Sequence, residues 1–379
     1  MGSTGSIGCN TVDLLVRNPG DYSVEVLTGN RNVTLLAQQA KDLGAQLAVI
    51  ADESLYGALK DLLSGTGIEA AAGDQAVADA AARPSDVVVA AIVGTAGLRP
   101  TLQAARRGAL VALANKETLV SAGDLMTQEV KNGGATLIPV DSEHSAIFQV
   151  FDFERADSVS KVTLTASGGP FLNKSLTEMA KMTPDEAVAH PNWDMGAKIS
   201  VDSASMMNKG LELIEAFHLF PVAADAIDIV VHPQSVVHSM VSYVDGSVLA
   251  QLGTPDMRTP ISLALAWPKR MATPAETLSL AEIGTLTFQH PDEVRFPALR
   301  LARDCLTEGG GAPTVLNAAN EVAVAAFLDA KIGFLDIARV VETVLDRTSL
   351  VPLDCLDAVF ALDQLARVRA GEAVVAVSG

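Results

Sequence analysis

Residues 1–141 alternate short apolar runs with segments in which apolar side chains recur at helical spacing, and no other feature constrains the fold as much. When strands alternate with helices, each chain return crosses over the sheet, which makes neighbouring strands parallel. We therefore predict an α/β fold that begins with a doubly wound, mostly parallel sheet covered by helices on both faces. The candidate strands are Ser23–Leu27, Gln46–Ile50, Asp86–Ala91, Ala109–Leu113 and Thr136–Val140, and the candidate helices are Val33–Leu43, Leu98–Arg107 and Ala122–Asn132.

The pattern changes after residue 141 and predicts three further parts. Residues 142–266 carry longer and partly antiparallel candidate strands, which indicates an α+β domain, and Asp245-Gly246 predicts a hairpin. Residues 267–294 are richer in Pro and Thr and indicate a linker, whereas residues 295–379 have helical spacing that predicts a small bundle. The alanine-rich stretch 69–82 is expected to form a short helix and a turn. The candidate strands here are Lys161–Ala166, Ile227–Val231, Ser235–Tyr243 and Ser247–Gly253.

The composition restricts the class of partner. A formal net charge of −18 disfavours nucleic acid, because its phosphates would be repelled. Cys9, Cys305 and Cys355 are too widely spaced for a metal or disulfide pattern and suit a reducing compartment. No apolar run reaches the roughly 18 residues of a membrane span, and no signal peptide is visible. We expect a cytoplasmic enzyme that acts on a small molecule and has no membrane partner.

A glycine-rich loop with the spacing G-x-x-G-x-x-G runs from Gly2 to Gly8 and leads into a helical segment. Such loops let the backbone approach a pyrophosphate at a helix N-terminus. After the next candidate strand, Arg31 stands where NAD-binding folds usually carry an acidic residue, and its guanidinium suits the 2′-phosphate of NADP. Only Met1 precedes the loop, so we expect the first strand of this sheet to be missing.

Two carboxylates, Asp141 and Glu143, follow the last candidate strand of this sheet. Open α/β sheets bind ligands at that edge. In extended backbone, residues i and i+2 point the same way, so both side chains are expected to aim at one point. Two such ligands suit Mg²⁺ or Mn²⁺, with Co²⁺ as a further candidate. The alternative for an isolated D-x-E sequence is a solvated acidic turn.

Other polar segments offer groups that could hold a substrate. Lys116 lies at the same sheet edge, Ser167 begins a glycine turn that could hold a phosphate, and Trp193 lies in a loop that resembles a lid. Each of these segments has a structural alternative, either a solvated turn or an ordinary loop.

The candidate helix Ser203–Glu215 is the most informative one in the chain. Ser203 is expected to cap it, and Asn208, Lys209 and Glu212 project near one face because they lie three and four residues apart. Asn208 and Lys209 suit a phosphate. Glu212 suits a third ligand of the metal that Asp141 and Glu143 are expected to bind. A surface Lys–Glu pair is the alternative.

Taken together, these segments resemble the 1-deoxy-D-xylulose 5-phosphate reductoisomerase family. The resemblance spans nearly the whole chain and rests on several long motifs. They are GSTGSIG at 2–8, LANKETLV at 113–120, PVDSEHSAIFQ at 139–149, SGGPF at 167–171, HPNWDMGAKISVDSASMMNKGLELIEA at 190–216, HPQSVVHSMV at 232–241, DGSVLAQLGTPDMRTPI at 245–261 and LNAANEVAVAAFL at 316–328.

The resemblance implies a fold, a reaction and a set of site residues. The fold would be a Rossmann-like NADP-binding domain at 1–141, a catalytic domain at 142–266, a linker at 267–294 and a helical domain at 295–379, in a homodimer. The metal would bind Asp141, Glu143 and Glu212. The substrate would bind Lys116, Ser142, Glu143, Ser167, His190, Ser203, Asn208, Lys209 and Glu212, with Lys116, Glu143 and His190 catalytic. NADPH would contact Thr4, Gly5, Ser6, Ile7, Asn30, Arg31, Asn32, Asn115, Glu117 and Gly196.

The implied reaction converts 1-deoxy-D-xylulose 5-phosphate into 2-C-methyl-D-erythritol 4-phosphate, in the non-mevalonate pathway to isoprenoids. The family loop after the second strand typically reads Gly-Lys-Asn, whereas this chain reads Asn30-Arg31-Asn32 and so keeps a cation but not the glycine. Two other functions compete with this one. They are an NADP-dependent dehydrogenase of the semialdehyde or homoserine type, and an inactive cofactor-binding remnant.

Overall fold

The computed structural model describes residues 1–191, 193 and 195–378, and it confirms the predicted α/β fold. The chain forms two compact units, which are described separately below. The first unit comprises Met1–Thr118, Met126–Ser145 and Asp256–Glu276, and the second comprises Leu119–Leu125, Ala146–Pro255 and Thr277–Gly379.

The first unit contains six short parallel strands that alternate with helices. Strands β1, β2 and β3 form one sheet, and β4, β5 and β6 form another. The strands are β1 (Val26–Gly29), β2 (Leu47–Ile50), β3 (Glu69–Ala72), β4 (Val87–Ala90), β5 (Leu110–Leu113) and β6 (Thr136–Pro139). The helices are α1 (Ser6–Arg17), α2 (Val33–Leu43), α3 (Tyr56–Leu62), α4 (Asp74–Ala82), α5 (Leu98–Arg106), α6 (Lys116–Gly133) and α7 (Ser142–Val150), the last two of which continue into the second unit.

The alternation of strand and helix forms because the buried strands are rich in Val, Leu, Ile and Ala, whereas the helices carry one apolar stripe. Strand β2 is buried along its whole length, as expected for a parallel strand covered on both faces. Helix α2 begins at the side-chain cap Asn32 and ends at Gly44, whose φ of 59° is the left-handed conformation that ends many helices. The sequence predicted the bounds of α2 correctly for these reasons.

The second unit is built on a mixed four-stranded sheet in the order β10-β9-β7-β8. Strands β7 and β8 are parallel, whereas β9 is antiparallel to both β7 and β10. The strands are β7 (Val159–Ala166), β8 (Ile227–Val231), β9 (Val237–Tyr243) and β10 (Val248–Leu252). The predicted hairpin connects β9 and β10, and Gly246 at its tip has a φ of 88°.

Ten further helices follow α7 in the described part of the chain. The first five, in chain order, are α8 (Leu176–Met179), α9 (Pro184–Val188), α10 (Ala197–Ala204), α11 (Met207–Leu219) and α12 (Arg258–Ala266). The remaining five are α13 (Leu280–Ile283), α14 (Ala298–Glu308), α15 (Ala312–Leu328), α16 (Asp336–Arg347) and α17 (Leu356–Ser378). Helix α15 is buried over most of its length and packs against α14, α16 and α17, which confirms the predicted helical bundle. No helix in the described part of the chain is both long enough and apolar enough to cross a bilayer.

Several local predictions were wrong, and two of them concern residues 69–133. The alanine-rich stretch 69–82 does not form only a helix and a turn, because Glu69–Ala72 is strand β3 and pairs in register with Leu47–Ile50. Alanine has a high helix propensity, but an available parallel neighbour overrides it. Helix α6 begins at Lys116, several residues before the predicted Ala122, because the Asn115 side chain caps it.

Candidate active site

The glycine loop places the first turn of α1 at the end of the sheet. Gly5 is the N-cap of α1, so Ser6 and Ile7 lie in the first turn, where backbone N–H groups have no partner within the helix. A Cβ atom at Gly8 would lie 2.3 Å from the carbonyl oxygen of Gly2, so only glycine lets α1 pack against the loop. The loop therefore leads into a helix N-terminus, as the sequence predicted, and helix ends of this kind can bind anions.

The segment Asn30–Asn32 lies on the surface between β1 and α2. The Arg31 guanidinium is largely exposed, and its Nε donates to the Asp52 carboxylate at 2.9 Å. Hydrogen bonds from Ser54 and Arg31 lower the pKa of Asp52, so this carboxylate stays ionised. Because Arg31 pairs with Asp52 through Nε, its two terminal nitrogens lie on the other edge of the guanidinium, where they could bind an anion. Asn32 acts as the cap of α2 by accepting from the Leu35 N–H.

Asn115 is buried, and its side chain connects two loops through hydrogen bonds. Its side-chain oxygen accepts from the Thr118 N–H, and its amide nitrogen donates to the carbonyls of Ile92 and Gly94. Gly97 lies so close to this amide that a Cβ atom there would overlap it. Asn115 therefore fixes the loop after β4 and starts α6, which in turn places Lys116 and Glu117 in the first buried turn.

Lys116 and Asp141 form a largely buried ion pair. The Lys116 Nζ lies 2.8 Å from Asp141 Oδ2, and both side chains are mostly withdrawn from water. Lys116 follows β5 and Asp141 follows β6, which are neighbouring parallel strands, so the two residues meet at one sheet edge. The sequence placed each residue at that edge but did not predict the pair.

The extended backbone expected for Asp141–Glu143 is wrong. Strand β6 ends at Pro139, and helix α7 begins at Ser142. The Asp141 carboxylate accepts from the Glu143 N–H at 3.2 Å and so stabilises the first turn of α7. The two carboxylates nevertheless have ligand oxygens within 4.8 Å of one another, because the Asp141 side chain folds over the start of α7 toward Glu143. Ser142 donates its hydroxyl to Glu143 Oε2 at 2.5 Å.

In the second unit, Ser167 and His190 form a hydrogen-bonded pair. Ser167 follows β7, and its hydroxyl oxygen lies 3.0 Å from His190 Nε2. His190 Nδ1 accepts from the backbone N–H of Trp193 at 3.1 Å, so Nδ1 carries no proton. A neutral imidazole then has its proton on Nε2 and donates to Ser167. Burial lowers the pKa of His190, which favours this neutral form.

The turn after Ser167 packs tightly on helix α10. Gly168 and Gly169 have φ values of 85° and 64°, and a Cβ atom at Gly169 would lie 2.7 Å from the carbonyl oxygen of Ser203. This close approach brings the Ser167 turn against the end of α10. Ser203 lies inside α10 and does not cap the following helix, so its predicted capping role is wrong. The N-cap of α11 is Met206, whose φ of 65° makes the sharp bend between the two helices.

Three polar residues of α11 meet as predicted. Asn208 Nδ2 donates to Glu212 Oε1 at 2.5 Å, and the Lys209 ammonium contacts Glu212 Oε2. Glu212 and Lys209 are both buried, which excludes the solvated surface pair that the sequence left open. Gly196, a predicted cofactor contact, is the N-cap of α10.

Asp202 is a buried carboxylate that the sequence did not single out. It lies next to Ser203, and it receives hydrogen bonds or ion pairs from Lys198 Nζ and Asn320 Nδ2, each at 2.8 Å. Because Asn320 belongs to α15, this contact fixes α10 against the helical bundle. A spacing of four residues between Lys198 and Asp202 was visible in the sequence, but nothing there predicted the burial.

Comparison with known proteins gives consistent matches over the whole chain. Residues 1–123 match the family model described as 1-deoxy-D-xylulose 5-phosphate reductoisomerase. Residues 137–220 and 252–369 match the models of its C-terminal domains. The reductoisomerase of Rhodospirillum centenum is 63% identical over 379 residues, covering 100% of this chain and 94% of the relative. That of Zymomonas mobilis is 58% identical over 370 residues, covering 98% and 95%.

Solved structures give the same result. The reductoisomerase from Zymomonas mobilis in complex with NADPH has a TM-score of 0.94 at 56% identity, covering 99% of this chain and 97% of that one. A reductoisomerase in complex with NADPH, fosmidomycin and magnesium has a TM-score of 0.95 at 43% identity, with the same coverage.

We expect His190 to titrate below 6.5, with Nε2 as the protonated nitrogen of its neutral form. The unfolded chain binds this proton first as the pH falls below 6.5, so stability declines over that range until the folded imidazole is protonated as well. Nitrogen chemical shifts from NMR, followed against pH, report both the midpoint and the tautomer. A midpoint at or above 6.5, or a neutral form protonated on Nδ1, would contradict the hydrogen bonds assigned to His190.

Proposed function

The chain belongs to the 1-deoxy-D-xylulose 5-phosphate reductoisomerase family, and from this premise we propose which of its residues carry out the reaction. The enzyme converts 1-deoxy-D-xylulose 5-phosphate to 2-C-methyl-D-erythritol 4-phosphate and depends on NADPH and a divalent metal. Full-length identity of 63% to a reductoisomerase is the observation that carries this conclusion. Neither a semialdehyde-type dehydrogenase nor an inactive remnant is favoured by these relatives.

Asp141, Glu143 and Glu212 are the proposed ligands of Mg²⁺. The donor set fits this ion, because carboxylate oxygens are the ligands that Mg²⁺ prefers. In the first unit, the oxygens of Asp141 and Glu143 are close enough to share one ion. In the second unit, Asn208 and Lys209 contact the two oxygens of the Glu212 carboxylate and hold it in place. When bound, the metal supplies Lewis-acid polarisation of the substrate's ketone and hydroxyl oxygens.

Ser167, Ser203, Asn208 and Lys209 are the proposed phosphate site. Hydroxyl, amide and ammonium donors compensate for the strongly negative chain, which would otherwise repel a sugar phosphate. Gly169, two residues after Ser167, packs against Ser203, and this contact brings the backbone segments that carry the two serines together. His190 donates to Ser167, so it sets the direction of the Ser167 hydroxyl.

Lys116, Glu143 and His190 are the proposed catalytic residues, and Ser142 completes the substrate contacts. The rearrangement breaks one carbon–carbon bond of the ketose and forms another, which moves negative charge between substrate oxygens. The Lys116 ammonium can stabilise that charge from its position beside Asp141. Glu143 can take up and return a hydroxyl proton, and Ser142 holds its carboxylate in place.

The glycine loop and the surface segment after β1 are the proposed NADPH site. NADPH supplies the hydride for reduction of the rearranged aldehyde. The first turn of α1 offers N–H donors to the pyrophosphate, and Arg31 offers a guanidinium to the 2′-phosphate. Asn115 and Glu117 start α6 at the carboxyl end of β5, where the nicotinamide is expected to lie. The remaining proposed contacts are Thr4, Gly5, Ser6, Ile7, Asn30, Asn32 and Gly196.

We assign the NADP-binding role to residues 1–141, the catalytic role to 142–266 and the helical domain to 295–379, joined by the linker 267–294. We also propose that the enzyme works in the cytoplasm, since its free cysteines Cys9, Cys305 and Cys355 suit a reducing compartment. The direct test of function is NADPH oxidation in the presence of 1-deoxy-D-xylulose 5-phosphate and Mg²⁺, repeated with EDTA. Oxidation that needs both substrate and metal is expected. Oxidation that persists in EDTA would exclude the proposed metal role.

Replacing Glu212 by Gln is expected to weaken Mg²⁺ binding and to lower kcat by roughly 100-fold or more, the scale for loss of one electrostatic stabiliser. The change keeps the shape of the side chain but removes its negative charge, so the Lys209 ammonium loses its ionic partner. Metal dependence of the rate and calorimetric Mg²⁺ titration measure the two effects. Glu154→Gln, an isosteric change at an exposed position, is the control. Near-normal kcat and metal affinity in the Glu212 variant would remove this residue from the metal site.

Replacing Arg31 by Ala is expected to reduce the preference for NADPH over NADH by about 10- to 100-fold, because charge-assisted hydrogen bonds to the 2′-phosphate are lost. Dissociation constants for both cofactors, measured by fluorescence, give the ratio. NADH affinity should change little. Arg17→Ala removes another surface arginine of the same unit and should leave the ratio unaltered. Equal losses of NADPH and NADH affinity would contradict the 2′-phosphate assignment.

We further propose that the enzyme is a homodimer that associates through strand β10. This strand ends its sheet and exposes Val248 and Leu249, and long apolar edges of this kind pair with other strands. Leu249→Lys is expected to shift the sedimentation of the protein from dimer to monomer. Leu176→Lys changes an exposed leucine of α8 and is the control. A Leu249 variant that remains dimeric would place the interface elsewhere.

A further inference from the structure

Residues 295–298, at the start of helix α14, lie beside the elements of the second unit that carry the proposed phosphate donors. A cavity of about 30 Å³ is lined by these residues together with Ser205 and Met207, which flank the bend between α10 and α11. The remaining element is the turn that follows Ser167. It is held from the same place by one side chain, that of Arg295.

Arg295 binds the backbone just after the glycines of the Ser167 turn. Its Nη1 carries two N–H groups, which donate to the carbonyl of Leu172 at 2.8 Å and to that of Lys174 at 3.0 Å. Its Nε donates to the Asp292 carboxylate at 2.7 Å, which fixes the plane of the guanidinium. This hydrogen bond lowers the pKa of Asp292, so the pair stays ionic. The Arg295 side chain is only 28% exposed, so little water competes for these carbonyls.

A series of hydrogen bonds connects Arg295 to the Ser167 hydroxyl. The Leu172 carbonyl accepts from Arg295, and the Leu172 N–H donates, over a long 3.5 Å, to the carbonyl of Gly169. The Gly169 N–H in turn donates to Ser167 Oγ at 3.2 Å. The Leu172 side chain also packs over Gly168, since a Cβ atom there would lie 2.7 Å from a Leu172 methyl carbon. The position of Leu172 therefore constrains the turn and the hydroxyl that it carries.

An aromatic contact attaches the same segment to the helical bundle. The ring of Phe171, which is buried, meets the edge of Phe334 at a centroid distance of 4.8 Å and an angle of 89°. Such a contact gives packing energy, but it does not set the directions of nearby carbonyl groups. Among the contacts of the described residues, the two hydrogen bonds from Arg295 supply that direction.

We propose that Arg295 is a positioning residue for the reaction, which acts through Leu172 and Lys174 to hold the Ser167 hydroxyl where the substrate phosphate binds. The inference rests on the proposed phosphate site and assigns the start of α14 a part in phosphate recognition. The phosphate does not react, so it is bound alike in the ground state and the transition state. Loss of Arg295 is therefore expected to raise KM for the substrate much more than it lowers kcat.

The first test is Arg295→Lys, which keeps a cation beside Asp292 but loses the planar guanidinium that reaches both carbonyls. We expect KM for 1-deoxy-D-xylulose 5-phosphate to rise about 10-fold, the scale for loss of a hydrogen bond from a charged donor. We expect kcat to change by less than about threefold. The dissociation constant of NADPH and the thermal midpoint Tm should stay close to those of the parent protein, which separates the effect from general destabilisation.

Arg303→Lys is the matched control. Arg303 lies on α14, its side chain is 33% exposed, and its guanidinium also donates to a backbone carbonyl, that of Ile227 at 3.2 Å. Ile227 pairs with Val162 in the neighbouring strand, whereas Ser167 follows the opposite end of that strand. The control variant should therefore keep the KM of the parent protein.

The second test combines Arg295→Lys with Ser167→Ala in a double-mutant cycle on KM. If Arg295 acts through the Ser167 hydroxyl, the double variant should be no worse than the more impaired single variant, because both changes remove the same interaction. If Arg295 supports the fold in general, the two increases in KM should multiply. Multiplied effects would overturn the positioning role.

The single variants separate this inference from the proposed function. A raised KM in Ser167→Ala together with an unchanged KM in Arg295→Lys would overturn the positioning role and leave the phosphate site in place. An unchanged KM in Ser167→Ala would contradict the phosphate site itself, and the positioning role with it. Equal increases in KM for Arg295→Lys and Arg303→Lys would also overturn the proposal, since the effect would then not depend on the Ser167 turn.

Discussion

The site depends on the pairing of buried carboxylates with lysines. A carboxylate withdrawn from water is costly unless a cation or several donors compensate it. Asp141 has Lys116 at 2.8 Å, Asp202 has Lys198 at 2.8 Å, and Glu212 contacts Lys209. Each lysine lies in the same compact unit as its carboxylate, so each unit carries its own charge compensation. In a chain with a net charge of −18, these local pairs compensate the charge of three carboxylates, two of which, Asp141 and Glu212, are proposed metal ligands.

Each of these ion pairs depends on a particular arrangement of the backbone. Lys116 reaches Asp141 because β5 and β6 are parallel neighbours and Asn115 starts a helix directly after β5. Lys209 reaches Glu212 because the two residues lie three apart on α11, a helix that begins after a sharp bend at Met206. A residue in the left-handed region costs free energy, and such strain persists where the surroundings hold it in place. The bend follows the end of α10, which packs against the Ser167 turn, so the proposed phosphate donors and a proposed metal ligand lie on either side of one backbone feature.

Much of the fold could be predicted because its signals are local. Helix α2 has a side-chain cap, an apolar stripe and a final glycine, and its predicted bounds were correct. Strands β2 and β5 read as continuous apolar runs, which is typical of buried strands in parallel pairs. The sequence also singled out Asp141, Glu143, Lys209 and Glu212 by residue type and spacing, and these stay proposed site residues. Their family resemblance was confirmed by relatives that match the whole chain.

The sequence by itself determined the alternation of strands and helices, the glycine loop and the residue types at the strand ends, because these follow from chain-local periodicity and side-chain chemistry. Only the tertiary structure decided that Glu69–Ala72 is a strand, that α7 begins at Ser142, and that His190 donates to Ser167. It also decided that Asp202 is buried under Asn320 of a helix more than a hundred residues away. Those features depend on which distant segment is available as a partner, and the free energy of that pairing exceeds the small preferences that local sequence can express.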